Sequence, residues 1–255
     1  MISYILEISY HGGKYHGWQK QKNTPNTVQE ALENALQTIL KTKITTLAAG
    51  RTDVGVHARQ QYVQIQPNNL IIDADILLYK LNALLGHDIY VMNIYLCQRV
   101  FSVRHNAIAR TYMYYLRQSK DPFRQGLAGF YYIKNLDFDK MNEACKILLR
   151  YTDYQSFSKV KTGVSHFHCH IACAQWHIEN DTWILTITAD RFLRGMVRTI
   201  VGTLLEVGKE ALSINDFENI IISKDRTKAK YAAKPEGLYL HNIKYEDGMF
   251  IKINV

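Results

Sequence analysis

Proline and cysteine are both scarce in this chain, at four each in 255 residues. Cys97, Cys145, Cys169 and Cys173 are too few to staple a chain of this length. Each thiol therefore reads as a small apolar side chain in a reducing compartment. No proline-rich or low-complexity linker interrupts the sequence, so any two halves are expected to pack closely. No apolar run approaches the roughly 20 residues that a membrane-spanning helix needs, and no long basic amphipathic helix argues for attachment to a bilayer surface. The opening residues Met1 to Glu7 have neither a basic n-region nor a cleavage site and look like a strand, which points to the cytoplasm. Walker loops and Gly-rich dinucleotide fingerprints are absent, as are C-x-x-C pairs and any H-x-x-x-H on a predicted helix, so neither a cofactor nor a metal is expected.

What is abundant points elsewhere. Hydrophobic residues make up 47% of the chain, enough for a sizeable core. The net charge of +8 favours a polyanionic partner, nucleic acid before membrane. The 17 tyrosines supply aromatic faces that, interleaved with Arg and Lys, suit stacking on unpaired bases.

Hydrophobic periodicity predicts an α+β protein. Ile2 to Tyr10 reads as a strand, and Thr27, at capping-box spacing from Glu30, opens a helix. Val28, Ala31, Leu32, Ala35, Leu36, Ile39 and Leu40 form its apolar stripe. Strands follow at Ile44 to Ala49 and Gln60 to Gln66, then a helix capped by Asp73 and running to about Leu85, then a strand from Asp88 to Leu96. This is the β-α-β-β-α-β order of ferredoxin-like and RNA-recognition folds. The remainder repeats it. Ala107 to Arg117 is a strand, and Asp139 to Arg150 a helix with Met141, Ala144, Cys145, Leu148 and Leu149 on one side. Ile171 to Ile178 and Thr182 to Ala189 pair around the turn Glu179-Asn180-Asp181. Helices over Leu193 to Val207 and Asn215 to Ile222 precede a last strand from Leu238 to Tyr245. The expectation is two such halves, residues 1–105 and 106–255, forming an extended, mostly antiparallel sheet with a central basic cleft.

The sharpest chemistry lies in Ala49-Gly50-Arg51-Thr52-Asp53-Val54-Gly55-Val56-His57-Ala58, between two predicted strands. A carboxylate delivered at a strand-to-loop transition beside a guanidinium is a way to present an ionised nucleophile. Capping of a turn by the aspartate is the plainer alternative. Arg198 lies one residue from the apolar stripe of its helix; it either pairs with a carboxylate or extends its head to solvent. Tyr112 and Tyr114 share one face of a strand, with Tyr115 on the other, and either hold a base or simply pack. The loop Gly12-Gly13-Lys14-Tyr15-His16-Gly17-Trp18-Gln19-Lys20 mixes cations and aromatics as RNA-contacting loops do. His166-Phe167-His168-Cys169-His170 invites a zinc reading, but strand alternation would put the histidines on one face and Cys169 with Cys173 on the other.

These residues resemble the tRNA pseudouridine synthase A family over nearly the whole chain. The matches are Ile8-Ser9-Tyr10 with Gly12, Tyr15 and Gly17-Trp18-Gln19; Thr27-Val28-Gln29-Glu30; Ala49 to Ala58; and Phe101, Arg104, Ala107, Arg110, Tyr112 and Tyr114. Phe192, Met196-Val197-Arg198, Ile200-Val201-Gly202, Glu206-Val207-Gly208, Asp225-Arg226-Thr227 and Glu236 to Leu240 continue them. The resemblance implies a cytoplasmic homodimer that isomerises uridine to pseudouridine on the 3′ side of the tRNA anticodon stem-loop, without metal or organic cofactor. It implies Asp53 as nucleophile, Arg51 beside it, Tyr112 next to the target base and Arg198 as the cleft arginine. Implied RNA contacts are Lys14, Tyr15, Trp18, Gln19, His57, Arg104, Arg110 and Arg226. His11, Gln60 and the His166 to Cys173 segment depart from the family pattern. The alternatives are the same chemistry on another RNA, or a non-catalytic RNA-binding paralogue.

Overall fold

The structure, a computed structural model, describes residues 3–66, 73–97, 100–160 and 163–252. The predicted strand beginning at Ile2 is therefore described from Ser3 onward, and Ile2 lies outside the described residues. Among the described residues the architecture is mixed α+β with five α-helices and mostly antiparallel strand pairing. Two compact units are present. One holds the chain through Ile108 together with Leu240 onward, and the other is Ala109–Tyr239.

In the first unit the order is β1 (Ser3–Tyr10), α1 (Val28–Leu40), β2 (Thr46–Ala48), β3 (His57–Ile65), α2 (Ala74–Leu84) and β4 (Ile89–Cys97). β1 lies between β3 and β4, antiparallel to both, and the short β2 pairs with the far end of β3. Thr27 caps α1 by accepting from Glu30 N at 3.3 Å. Glu30 itself turns to Lys20 Nζ, 3.2 Å away, rather than serving a reciprocal capping box. Val28, Leu32, Ala35 and Leu36 are buried as predicted, whereas Ala31, Ile39 and Leu40 are only half-buried. Asp73 caps α2 by accepting from Asp75 N and Ile76 N.

In the second unit come β5 (Ala109–Arg117), β6 (Gly129–Phe130), α3 (Phe138–Leu148), β7 (Ile171–Glu179), β8 (Thr182–Ala189), α4 (Met196–Gly208) and α5 (Ile214–Ser223). β8 pairs antiparallel with β5 on one side and β7 on the other, and β6 runs parallel to β5. The β7–β8 turn has Asn180 at φ 46° and Asp181 at φ 60°, two successive left-handed residues that match the twist of the flanking strands. α3 ends earlier than its periodicity suggests, so Leu149 is exposed at its C-cap while Ile147 takes the buried position. α4 begins three residues later than predicted because Gly195, at φ 72°, cannot continue a right-handed helix backwards.

β9 (Leu238–Lys244) carries the chain back into the first unit. There Ile243 N donates to Gln60 Oε1 at 3.0 Å, and Tyr245 OH donates to Val103 O at 2.5 Å. β10 (Ile251–Lys252) then pairs with β4. Cys97, Cys145 and Cys169 are buried and Cys173 is half-buried, all as free thiols. Burial pushes the Cys169 thiol up to about 12.

Candidate active site

The Gly50 to Ala58 segment leaves β2 and re-enters the sheet at β3. Its base is closed by Ala49 N donating to Tyr62 O at 2.9 Å. The buried Gln61 amide then clamps both main-chain groups of Gly50, donating to its carbonyl at 2.8 Å and accepting from its N–H at 3.3 Å. Thr52 is buried, its hydroxyl 2.8 Å from Tyr10 OH and its carbonyl accepting from Trp18 N at 3.1 Å. A turn closes through Val56 N donating to Asp53 O at 3.2 Å, with Gly55 at φ 76°.

The Gly12 to Gln19 segment lies directly against this turn. Gly12 N donates to His57 Nδ1 at 3.0 Å, which leaves the proton of a neutral imidazole on Nε2. A side chain at Gly12 would run into the Val56 carbonyl. Gly17, at φ 84°, lies so close that a Cβ would stand 2.6 Å from Thr52 O. Both glycines are needed for the approach of one backbone to another. The result is a pinned loop that leaves Arg51 exposed and Asp53 half-buried.

The predicted RNA contacts of this unit fall into two groups. Lys14 is largely exposed, 3.8 Å from Asp88. Tyr15 OH donates to the same carboxylate at 3.0 Å, and burial, then Asp88, raises its phenol to about 12. Gln19 donates to Gln29 Oε1 at 2.9 Å, and Arg104 is exposed. Trp18 and His57, by contrast, are each 1% exposed and support the loop from beneath. His11, a departure from the family pattern, stands 4.4 Å from His57 between ring centroids.

Tyr112 and Arg198 belong to the second unit. Tyr112 and Tyr114 are buried on one face of β5, as strand alternation predicts. Tyr112 meets Phe192 edge-on at 5.2 Å, and Tyr115 meets Tyr239 in the same manner at 5.0 Å. Arg198 is half-buried in the first turn of α4, and its Nε donates to Ala233 O at 2.7 Å. Ala233 N in turn donates to Arg198 O at 2.8 Å. The helix can approach this extended segment because Gly202 has no Cβ, which would strike the Tyr231 carbonyl. Arg110 donates to Asp190 O at 2.7 Å, and Arg226 to Ala229 O at 3.2 Å.

The His166 to His170 stretch is not a strand, so the alternation argument does not apply to it; β7 begins only at Ile171. His166 and His168 stack loosely with ring centroids 5.6 Å apart, and Arg191 Nη1 is 3.0 Å from His166 Nε2. Among the described residues no group of three or more His, Cys, Asp or Glu is arranged to hold a metal. Sequence reading missed Thr52, Tyr10 and Gln61 as loop anchors and Ala233 as the acceptor for Arg198. A buried threonine inside a motif was the one available signal, because the other partners are remote in sequence.

Comparison with known proteins bears on what this arrangement does. The profile of a family described as tRNA pseudouridine synthase matches residues 144–246. A tRNA pseudouridine synthase A of Parabacteroides distasonis is 44% identical over 250 residues, covering 98% of both chains. Its counterpart from Porphyromonas gingivalis is 42% identical over 98% of this chain and all of its own. That of Francisella tularensis subsp. novicida is 35% identical over 98% of this chain and 96% of its own. With such identity sustained from end to end, this chain belongs to the tRNA pseudouridine synthase A family.

Proposed function

We propose that this protein, a tRNA pseudouridine synthase and hence an isomerase, converts uridine to pseudouridine on the 3′ side of the anticodon stem-loop with Asp53 as nucleophile. The reaction breaks the bond from C1′ to N1, turns the uracil and rejoins it through C5. N1 gains a proton and C5 gives one up, with no net redox change and no group transferred, so the chain's own side chains can serve every step. Three routes suit a carboxylate here: attack on C1′, addition to the base, and assistance to elimination toward a glycal.

The observation that carries this reading is the pinned loop. Main-chain contacts from Gly12 to Trp18, the Thr52–Tyr10 hydrogen bond and the Gln61 clamp fix the backbone on both sides of Asp53. A carboxylate so held loses little orientational freedom on reaching the reacting atom. The target must leave its stack at a cost of about a few kcal/mol. In this reading Tyr112 offsets part of that cost beside the base, while Arg198 and Arg51 each supply positive charge to the RNA. Lys14, Tyr15, Gln19, Arg104, Arg110 and Arg226 are assigned to the RNA backbone, and Trp18 and His57 to support of the loop.

The same reading makes the two units ferredoxin-like halves: one carries the catalytic loop and the other Tyr112 and Arg198. The strand neighbours β4-β1-β3-β2 and β5-β8-β7 support it. It also makes the protein a cytoplasmic homodimer acting on tRNA without metal. Site-by-site mapping of pseudouridine in tRNA and rRNA, with wild-type protein and with Asp53→Asn, tests the assignment. Loss confined to the 3′ anticodon arm is expected. Unchanged pseudouridine with Asp53→Asn would overturn the catalytic role, and loss elsewhere would reassign the substrate.

A further inference from the structure

Arg198 donates its Nε–H to the Ala233 carbonyl, 2.7 Å away. That carbonyl belongs to the same peptide group as the Lys234 N–H. A peptide group is planar, and no cis peptide occurs among the described residues, so the direction of this N–H fixes the direction of the C=O. The Lys234 N–H donates to Tyr131 OH at 2.7 Å. Tyr114 OH donates to the Lys234 carbonyl at 3.0 Å, and the two phenol oxygens are 3.2 Å apart.

Proton counting settles the direction of the remaining bond. Each phenol has one proton. Tyr114 gives its proton to Lys234 O, so the Tyr131 proton goes to the Tyr114 oxygen. The bonds then close a ring in which Lys234 N–H donates to Tyr131, Tyr131 to Tyr114, and Tyr114 back to Lys234 C=O. Hydrogen bonds connected head to tail in this way polarise one another. Burial raises both phenols above their ordinary values, so both keep the protons the ring requires.

The surroundings leave this ring little room to shift. Tyr114 is wholly buried. Its ring lies against two glycines: a Cβ at Gly237 would come within 2.6 Å of its Cζ, and one at Gly129 would meet its hydroxyl. The Lys234 ammonium donates to Phe130 O at 2.6 Å and sits 5.2 Å from the Tyr131 ring centroid. The opposite edge of the segment is tied to α4 by Ala233 N donating to Arg198 O at 2.8 Å and by Lys230 N donating to Thr203 Oγ1 at 3.2 Å.

We infer that Tyr131 and Tyr114 are positioning residues: through the peptide joining Ala233 to Lys234 they set the plane of the Arg198 guanidinium. With Nε held, the guanidinium plane is fixed and its two terminal NH2 groups point in defined directions, as bidentate recognition needs. Neither phenol is a catalytic residue here. The inference rests on the reading of Arg198 as part of the active site, and it adds the device that orients it.

The test is a double-mutant cycle on pseudouridine formation in tRNA, using Tyr131→Phe, Arg198→Lys and the pair. Tyr131→Phe is expected to lower kcat by about tenfold and to leave KM for tRNA within about twofold, because orientation and not binding is lost. In the Arg198→Lys background there is no Nε–H to orient, so the same change should then have no further effect. Tyr114→Phe should reproduce the kcat loss, with both variants folded by circular dichroism and thermal melting. An unaltered kcat in Tyr131→Phe would overturn the inference. So would an equal loss in both backgrounds, the result expected if the phenol only stabilises the unit. Arg198→Lys with wild-type kcat would overturn the role of Arg198 itself, and a wild-type protein making no pseudouridine would overturn the function.

Discussion

Asp53 sits on a loop that its neighbours grip by main-chain atoms, whereas Arg198 sits on a helix and is gripped at its own side chain. In the first unit two glycines bring one backbone against another, and the loop is pinned by Thr52 O, Gly50 and Val56. In the second, half-buried Tyr131, backed by the buried Tyr114, holds the peptide that in turn holds a guanidinium. A short aspartate has two rotatable bonds, of which only the first moves the carboxyl carbon, so placing its backbone nearly places the carboxylate. A long arginine has several, and placing its backbone leaves the head undetermined. The two means of support follow from the two side chains.

That comparison can be broken most forcefully at the carboxylate. Asp53→Asn keeps size and shape but removes the charge; pseudouridine formation should fall by at least about a thousandfold while the melting temperature stays within a few degrees. Next comes the backbone approach. Gly17→Ala places a methyl against Thr52 O at a left-handed φ and should cost about 2–4 kcal/mol in chemical denaturation, with a loss in kcat/KM of about a hundredfold. Gly202→Ala creates a similar clash with Tyr231 O and should destabilise comparably. If Gly17→Ala were stable and fully active, main-chain pinning would not matter to catalysis. Arg198→Lys should lower kcat by about tenfold or more, since an ammonium cannot reproduce the fork.

The smallest effect concerns Tyr15. Its phenol is raised from 10.0 to about 12, mainly by burial and then by Asp88. The folded form therefore keeps a proton that the unfolded chain gives up. The stabilisation is fully present below pH 10.0 and is lost as pH rises toward about 12. Tyr15→Phe should flatten the stability profile in that window alone, measured by urea unfolding at successive pH values, with the effect reduced by solvent screening.

Much of this was legible in the sequence because its signals are local. The Thr27 cap, the Asp73 cap and the Asn180-Asp181 turn are each read from adjacent residues, and each forms. The Gly50 to Ala58 segment is likewise contiguous, so its chemistry stands out in one glance along the chain. Errors cluster where a distant partner decides the outcome. β6 has only two residues and exists because Leu116 and Arg117 pair with them. The alternation argument failed for His166 to His170 because that stretch turns with Asp153 and Arg191 instead of entering the sheet. Tyr131, Ala233 and Lys234 have no motif at all; their importance appears only when the chain brings them to Arg198.

A grip on main-chain atoms is indifferent to most side chains. Along Gly12 to Gln19, Lys14 is exposed and half-buried Tyr15 donates to Asp88, while the contacts that hold the Asp53 turn come from the N–H groups of Gly12 and Trp18 and the Tyr15 carbonyl. Under the proposed assignment of Lys14 and Tyr15 to RNA, such a segment can exchange those side chains, and with them the surface offered to RNA, without disturbing the Asp53 turn. Recognition and reaction thus become separable traits, and a laboratory selection for new RNA targets could randomise positions 14 and 15 while leaving both glycines untouched.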